Sequence, residues 1–394
     1  MHLVYILFWV SAAIIGYTYL GYPLLLALLV RIKEGVSGVR KKGGTQWPTV
    51  TLIIAAYNEE ICIADKLKNS LALKYPQGQL KIWVVTDGST DGTNDWVRSF
   101  PEVSLFYQSV RKGKLEAIQR VISEVKSDWI VFTDANALLN EDAILQLMEQ
   151  GREEGVGVVA GEKRVNPVDT KGGGESWYWR YESTIKDWEG RFYSVTGTAG
   201  ELYAVRTNLY TPVPVDTISD DLEIGWAIVE KGYRIAYAAA AISEESDISD
   251  WKLAFRRRVR VAAGSVQSAL RLLQQGKKGW QLAFWWEVIS HRILRTLVAP
   301  YCLILLLLSN ACLISIGPFF GALFFVQLIA YFMTALYCMF PTGRFVSGLL
   351  IWPVFFILAH FAMIKGAWLL LSGRATVLWE PVPRGEGADM GKSE

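Results

Sequence analysis

Between residues 3 and 290 this chain contains no histidine and a single cysteine, Cys62; its three histidines are His2, His291 and His360. That stretch therefore holds no Ser-His-Asp triad, no Cys-His dyad and no histidine-rich zinc site. No CxxC pair exists, and Cys62 alone makes no disulfide framework. Chemistry there falls to carboxylates, to lysine and arginine, and to a hard cation held by oxygens. The candidate groups are Asp87, Lys114, Asp134 with Asn136, the pair Asp220-Asp221, and the basic run Arg257-Arg258-Val259-Arg260. Adjacent like charges raise one pKa of a carboxylate pair, which suits Asp220-Asp221 to proton transfer near neutral pH. Favourable charge at a helix N-terminus is the other use of such a pair. Two oxygen side chains two residues apart can face one cation, as in Asp134-Ala135-Asn136. An Asx turn is the alternative for those residues.

These groups need elements to position them. Apolar runs at Val50 to Ala56, Ile82 to Thr86, Val103 to Tyr107, Trp129 to Thr133 and Val156 to Ala160 read as strands. Glu59 to Ala72, Asp91 to Phe100, Lys114 to Val125 and Glu141 to Gln150 read as the helices between them. Strands alternating with helices imply right-handed crossovers, a mostly parallel mixed sheet and an α/β nucleotide-binding architecture. In such sheets ligands bind beyond the carboxyl ends of the strands. Asp87 then ends a strand, where a carboxylate accepts hydrogen bonds from a base or ribose. Lys114 opens a helix, against the dipole unless an anion lies there. Two nucleotide classes are excluded. The first strand is followed by Ala-Ala-Tyr-Asn-Glu-Glu rather than glycines, and Arg111-Lys112-Gly113-Lys114 is no P-loop.

Composition places this domain beside a membrane. Hydrophobic residues make up 52% and charged residues 20%, the balance of a polar domain fused to apolar spans. Net charge is +2, and no recognised module accompanies the basic run, so nucleic acid is not an expected partner. Leu3 to Val30 carries no charge and is longer than a signal-peptide core, so it reads as a retained transmembrane helix over residues 3–30. The basic flank Arg31, Lys33, Arg40, Lys41 and Lys42 puts the domain that follows, 45–250, on the cytoplasmic side. Residues 251–295 read as interfacial helices, with Trp280, Trp285, Trp286, Arg292 and Arg295 as an interfacial belt and snorkelling anchors. Thr296 to Thr342 has room for two spans of about 20 residues each. A third segment, continuing to Ser372, carries Pro353, His360 and Lys365. Residues 296–373 thus hold two or three membrane helices, followed by a tail, 374–394.

Five motifs now stand in order: Ala56-Tyr57-Asn58-Glu59-Glu60, Asp87-Gly88-Ser89-Thr90-Asp91-Gly92-Thr93, Gly113-Lys114, Asp134-Ala135-Asn136 and Ser219-Asp220-Asp221. From about Val50 to Gly264 the chain resembles the membrane-bound family 2 inverting glycosyltransferases, the group of cellulose and hyaluronan synthases. The resemblance implies a GT-A type nucleotide-sugar domain. It casts Tyr57, Glu59, Asp87, Lys114, Asp134, Arg257 and Arg260 as contacts to a nucleotide-diphospho sugar, most simply a UDP-sugar. Asp134 and Asn136 match its DxD motif, which implies Mg²⁺ or Mn²⁺ on the diphosphate; the neutral Asn136 lowers the charge of that site. Asp221 falls at the base position, supported by Asp220, with Glu244 and Glu245 as the reserve. Gly197, Thr198, Gly200 and Glu201 match the acceptor-side segment, for which a strand bulge is the plain alternative.

Departures from the family pattern lie further on. Where the polysaccharide synthases carry QxxRW, this chain reads Arg257-Arg258-Val259-Arg260-Val261, so Arg260 is kept and Val261 replaces the stacking Trp. Headgroup contact is the other reading of these arginines. Trp177, Tyr178, Trp179 and Trp188 offer a stacking platform or ordinary packing. Trp379, acceptor-side by resemblance, would lie with its tail on the cytoplasmic face. Three late crossings would leave that tail outside, so the segment with Pro353, His360 and Lys365 is expected to be interfacial or re-entrant. The implied activity is sugar transfer to a growing polysaccharide or a lipid-linked acceptor, at a bacterial-type inner or plasma membrane, with the bilayer and synthase subunits as partners. Single-sugar transfer to a lipid carrier and a catalytically inactive GT-A-like subunit are the alternatives.

Overall fold

The computed structural model describes residues 1–36, 43, 46–166, 174–246, 251–276, 279–340 and 351–377. Trp379 therefore lies outside the described residues. The chain opens with an apolar rod, His2–Val36, in which α1 (His2–Gly16) and α2 (Tyr22–Val36) are joined by a π-helical turn, Tyr17–Gly21. The polar domain continues through β1 (Val50–Ala56), α3 (Glu60–Leu71), β2 (Leu80–Thr86), α4 (Thr93–Arg98), β3 (Val103–Phe106), α5 (Lys114–Ile122) and β4 (Trp129–Asp134). Its second half comprises β5 (Leu138–Leu139), α6 (Ala143–Gly151), β6 (Val156–Asn166), α7 (Gly174–Phe192), β7 (Leu202–Arg206), α8 (Asp220–Glu230) and β8 (Arg234–Ser246). Then come α9 (Trp251–Gln275), α10 (Leu282–Val288), a π-helical stretch Ile289–Val298, α11 (Ala299–Leu313), α12 (Pro318–Met339) and α13 (Ile351–Leu371).

The strands form one sheet in the order β3-β2-β1-β4-β7-β6-β8-β5. β3, β2, β1 and β4 are parallel, and their register sets Ala56 beside Thr86 and Ala55 beside Asp134. The chain therefore leaves three strands at one edge, where Tyr57, Asp87 and Asp134 follow or end them. β7 is antiparallel to both β4 and β6, so the sheet is mixed, as expected. The strands missed in the sequence are β5, β7 and β8. β8 runs through Ala238-Ala239-Ala240-Ala241, and alanine has low strand propensity; the ladder with β6 shifts register across that run and holds it from both sides, pairing Tyr237 with Ala160 and Ile242 with Glu162.

Both faces of the sheet are covered. One core holds Leu52, Ile54, Leu67, Val84 and Met148; the other holds Ile53, Phe132, Tyr203 and Trp226, and continues into Trp280, Phe284 and Val288 beside α10. Trp280 is thus part of the domain's interior rather than an interfacial anchor. Among the described residues four helices are long and apolar enough to cross a membrane: His2–Val36, Leu282–Ile316, Pro318–Met339 and Ile351–Leu371. The segment with Pro353, His360 and Lys365 belongs to α13. At Gly366 the helices α13 and α9 touch backbone to backbone, since a Cβ there would lie 2.7 Å from Ala263 N and 2.8 Å from Val259 O. His360 is buried, its Nε2 2.8 Å from the Tyr19 hydroxyl of the first rod.

One carboxylate ties the rod to the domain. Glu189 on α7 is fully buried; it accepts from Tyr22 Oη at 2.8 Å and Thr196 N at 3.0 Å, and lies 2.6 Å from His291 Nδ1. Its neighbour Glu182 pairs with Arg295 at 2.5 Å. Arg292 donates to Thr196 Oγ1 at 3.2 Å. Both arginines therefore turn toward the domain, not toward headgroups, because the buried carboxylates of α7 require cationic partners. Tyr22→Phe removes one hydrogen bond to a buried charge and is expected to cost about 1.5–3 kcal/mol. Thermal unfolding in detergent micelles reads this as a lowered midpoint; an unchanged midpoint would contradict the role given to Glu189.

Candidate active site

The carboxyl ends of β1, β2 and β4 carry the first set of side chains. Asn58 adopts φ 52°, a left-handed conformation that asparagine tolerates better than most residues. Its Oδ1 accepts from Thr90 N at 2.9 Å and its own N–H donates to Ser89 Oγ, which fixes Tyr57 on the site wall. The Arg111 guanidinium lies over the Tyr57 ring, 3.7 Å from its centroid. Asp87 accepts from Gln108 Nε2 at 2.8 Å, Lys112 N at 2.8 Å and Gly113 N at 2.7 Å. It thereby braces the loop that delivers Arg111 and Lys114. Gly88 is needed beneath that loop: its φ is 69°, and a Cβ would come within 2.7 Å of Arg111 N.

Lys114 Nζ is 2.5 Å from Asp134 Oδ1. Burial works against its charge, but Asp134 and then Asp220 hold its pKa above the usual lysine value. Behind β4, burial pushes the Lys66 ammonium down to about 7. Lys66 donates to Thr133 Oγ1 at 3.0 Å and to Ala137 O, locking the end of β4 to the turn after Asp134.

The acid pair opens α8 and is placed by α9. Gln267 accepts from Ile218 N at 2.9 Å and donates to Asp216 O at 2.8 Å, and Arg271 pairs with Asp216 at 2.8 Å. Burial, followed by the charges of Asp220 and Glu201, raises Asp221 to about 7; Lys114 and a hydrogen bond from Thr198 Oγ1 at 3.1 Å pull the other way. The backbone of Gly200 lies alongside, so that a Cβ there would be 3.6 Å from Asp221 Cγ.

Next to the pair, Glu201 and Glu245 share two cations. Lys163 donates to both, at 2.6 Å to Glu245, and Arg257 reaches each at 2.9 Å. Although burial opposes it, these cations keep both carboxyl groups below their ordinary range. Glu245, a reserve base in the sequence, is therefore an ion-pair partner. Asn136 Nδ2 donates to Glu245 Oε1 at 2.6 Å. Arg260 differs from Arg257: it makes no hydrogen bond or ion pair with a described residue, and burial followed by Arg257 lowers its pKa.

These groups surround one cavity of ≈ 460 Å³. Tyr57, Asp87, Lys114, Asp134, Thr198, Gly200, Glu201, Asp220, Asp221, Arg257 and Arg260 all lie on its wall. Glu59, Asn136 and Gly197 do not. Glu59 is buried at the start of α3 and accepts from Cys62 Sγ. Gly197 lies under the Arg292 guanidinium, where a Cβ would be 2.5 Å from Nη2. Arg111, Lys163 and Arg292 are wall residues that the sequence did not assign to the site. Their charge was visible, but not the side of each element they face. Among the described residues no three His, Cys, Asp or Glu side chains converge as a ready ligand set. Mg²⁺ commonly needs only one or two carboxylates plus substrate phosphates, and Asp134 offers such a carboxylate on the wall.

Residues 48–264, more than half of the chain, match the model of the family described as glycosyltransferase like family 2. The chain belongs to this family. Over 245 residues it is 29% identical to the Bacillus subtilis (strain 168) protein named "Probable glycosyltransferase YdaM", covering 58% of each chain. Over 240 residues it is 27% identical to the poly-beta-1,6-N-acetyl-D-glucosamine synthase of Staphylococcus aureus (strain COL), covering 56% of each. The matches thus span less than three fifths of these relatives' length. In fold it is similar to the mannosyltransferase PcManGT of Pyrobaculum calidifontis, with a TM-score of 0.71 and 23% identity, over 93% of this chain and 99% of that one. The GT-A type fold of this glycosyltransferase family is therefore the fold observed.

The two arginines should separate in stability. Arg257→Gln leaves Glu201 and Glu245 short of a cation and is expected to cost roughly 2 kcal/mol. That is below the usual figure for a broken buried pair because Arg257 is 30% exposed. Arg260→Gln should stay within about 0.5 kcal/mol of the parent. Thermal unfolding of the two variants side by side checks this; equal losses would contradict the distinction.

Proposed function

We propose that this protein is a membrane-embedded inverting glycosyltransferase that moves a sugar from a nucleotide-diphospho sugar to a growing polysaccharide or a lipid-linked acceptor. The observation that carries the reading is Asp221, a half-buried carboxylate raised to about 7 on the wall of a cavity that also holds Lys114 and Arg260. A base poised near neutrality and cations opposite it are what inverting transfer requires. Asp221 takes the proton of an acceptor hydroxyl as that oxygen bonds to the anomeric carbon. The bond from that carbon to the leaving phosphate oxygen breaks, and the nucleoside diphosphate departs with the electron pair. Lys114 and the uncommitted donors of Arg260 receive its charge. Asp220 keeps Asp221 basic, while Thr198 orients it.

Tyr57, Arg111 and the loop braced by Asp87 form the end of the cavity suited to the nucleoside. Asp134 would hold Mg²⁺ or Mn²⁺, which supplies charge neutralisation on the diphosphate. PcManGT is described in complex with GDP-Man and Mn²⁺, so both UDP- and GDP-sugars belong in any donor panel. The four apolar helices and the basic flank after the first support insertion in a membrane, with the domain on the cytoplasmic side. The cavity wall extends to Phe355, Ala359 and Met363 of α13, which supports entry of the acceptor from the membrane side.

Purified protein should release nucleoside diphosphate from one member of a UDP- and GDP-sugar panel in the presence of Mg²⁺ or Mn²⁺. Asp221→Asn should lower transfer at least about 100-fold, as expected for loss of a general base, with nucleotide affinity by calorimetry within about threefold of the parent. Transfer at near parental rate in that variant would overturn the reading. Nucleotide binding without turnover of any donor would favour an inactive GT-A-like subunit.

A further inference from the structure

We propose that Tyr178 and Trp179 form a stacking subsite for a pyranose ring of the acceptor, so that the acceptor enters the cavity as a glycan and not as a bare lipid headgroup. This rests on the transferase reading above. Helix α7 carries several aromatic residues with different surroundings. Tyr181, Trp188 and Phe192 pack with Tyr22 and Leu26 of the first rod. Tyr178 and Trp179 join no buried apolar cluster among the described residues; both face the cavity, and Tyr178 is 37% exposed. Their rings meet edge to face, with centroids 5.7 Å apart and planes at 76°, which makes an aromatic corner.

The position of this corner points to the acceptor. Lys163 Nζ lies 5.6 Å from the centroid of the Trp179 ring and bonds to Glu201. Glu201 follows Gly200, whose backbone lies against Asp221. The aromatic corner is thus linked through one ion pair to the segment beside the base. The nucleoside end, at Tyr57 and Arg111, is formed by different elements. A pyranose presents an apolar C–H face and a rim of hydroxyls. An aromatic corner with Lys163 over the Trp179 ring, and Glu201 paired to that lysine, offers both an apolar contact and polar partners, and rigid rings supply that contact area. The indole Nε1 of Trp179 has no hydrogen-bond partner among the described residues, although buried indoles normally find one.

The test uses the full chain in detergent or nanodiscs, with di- to tetrasaccharides of glucose, N-acetylglucosamine and mannose as probes. Saturation-transfer NMR in the presence of UDP or GDP measures binding without requiring turnover. Trp179→Ala should weaken saccharide binding tenfold or more, and Trp179→Phe should restore it to within threefold. The exposed Trp96→Ala serves as control. Where transfer is measurable, Trp179→Ala should raise the acceptor KM at least tenfold with a smaller fall in kcat. Saccharide binding lost in Trp179→Ala, in a protein that turns over no donor, would support the subsite and overturn the transferase reading. Turnover with unchanged saccharide affinity in Trp179→Ala would do the reverse. Equal damage by Trp179→Phe and Trp179→Ala, or no binding of any probe by the parent, would overturn the subsite.

Discussion

Charges brought into a half-buried cavity need partners, and the pairing of Glu201 and Glu245 with Lys163 and Arg257 is the interaction on which this site depends. Two anions and two cations compensate one another. Their mutual satisfaction fixes β8, α9 and the Gly200-Glu201 segment around one point. It also leaves an imbalance next door, with Asp220 and Asp221 together on α8 and Arg260 without an ion-pair partner among described residues. A site whose charges were all paired would be inert. Here the spare carboxylate has a raised pKa, and the spare guanidinium faces the same cavity.

The long apolar helices and the domain are one structure, not a tail joined to an enzyme. Glu189 binds the first rod, the backbone just before Gly197 and the π-helical stretch at once. Phe284 and Val288, in the first turns of the helix Leu282–Ile316 that is long enough to span a bilayer, belong to the core beneath the sheet. The π-helical winding of Ile289–Val298 accompanies the placement of His291, Arg292 and Arg295 on the face that meets α7. Hydrogen bonds to the carboxylates of α7 are thus available from the same helix whose apolar residues continue into the span.

The parallel half of the sheet was legible because β1, β2 and β4 are apolar runs bounded by polar turns. The positions of Tyr57, Asp87 and Asp134 at its edge followed from the rule that ligands bind at strand ends. β7 and β8 were not legible, since their conformation comes from pairing with distant strands rather than from their own residues. Which arginine is committed was equally hidden. Arg257 and Arg260 differ only in the side of α9 they occupy relative to Glu201 and Glu245, a tertiary fact. Asn136 looked like a metal-facing oxygen two residues after Asp134, yet its amide turns to Glu245. Arg292 and Arg295 read as membrane anchors because the partners that claim them, Thr196 and Glu182, lie about a hundred residues earlier.

Asp221 is the proposed base, and burial and Asp220 set its pKa. The pH dependence of kcat/KM for sugar transfer tests it directly, since its acid limb reports the base in the free enzyme. Because the deprotonated form is active, the rate should rise with pH through about 7. Asp220→Asn removes the adjacent like charge and should move that limb to lower pH. A limb that stays in place in Asp220→Asn, or one that lies in the ordinary carboxylate range in the parent protein, would contradict the account.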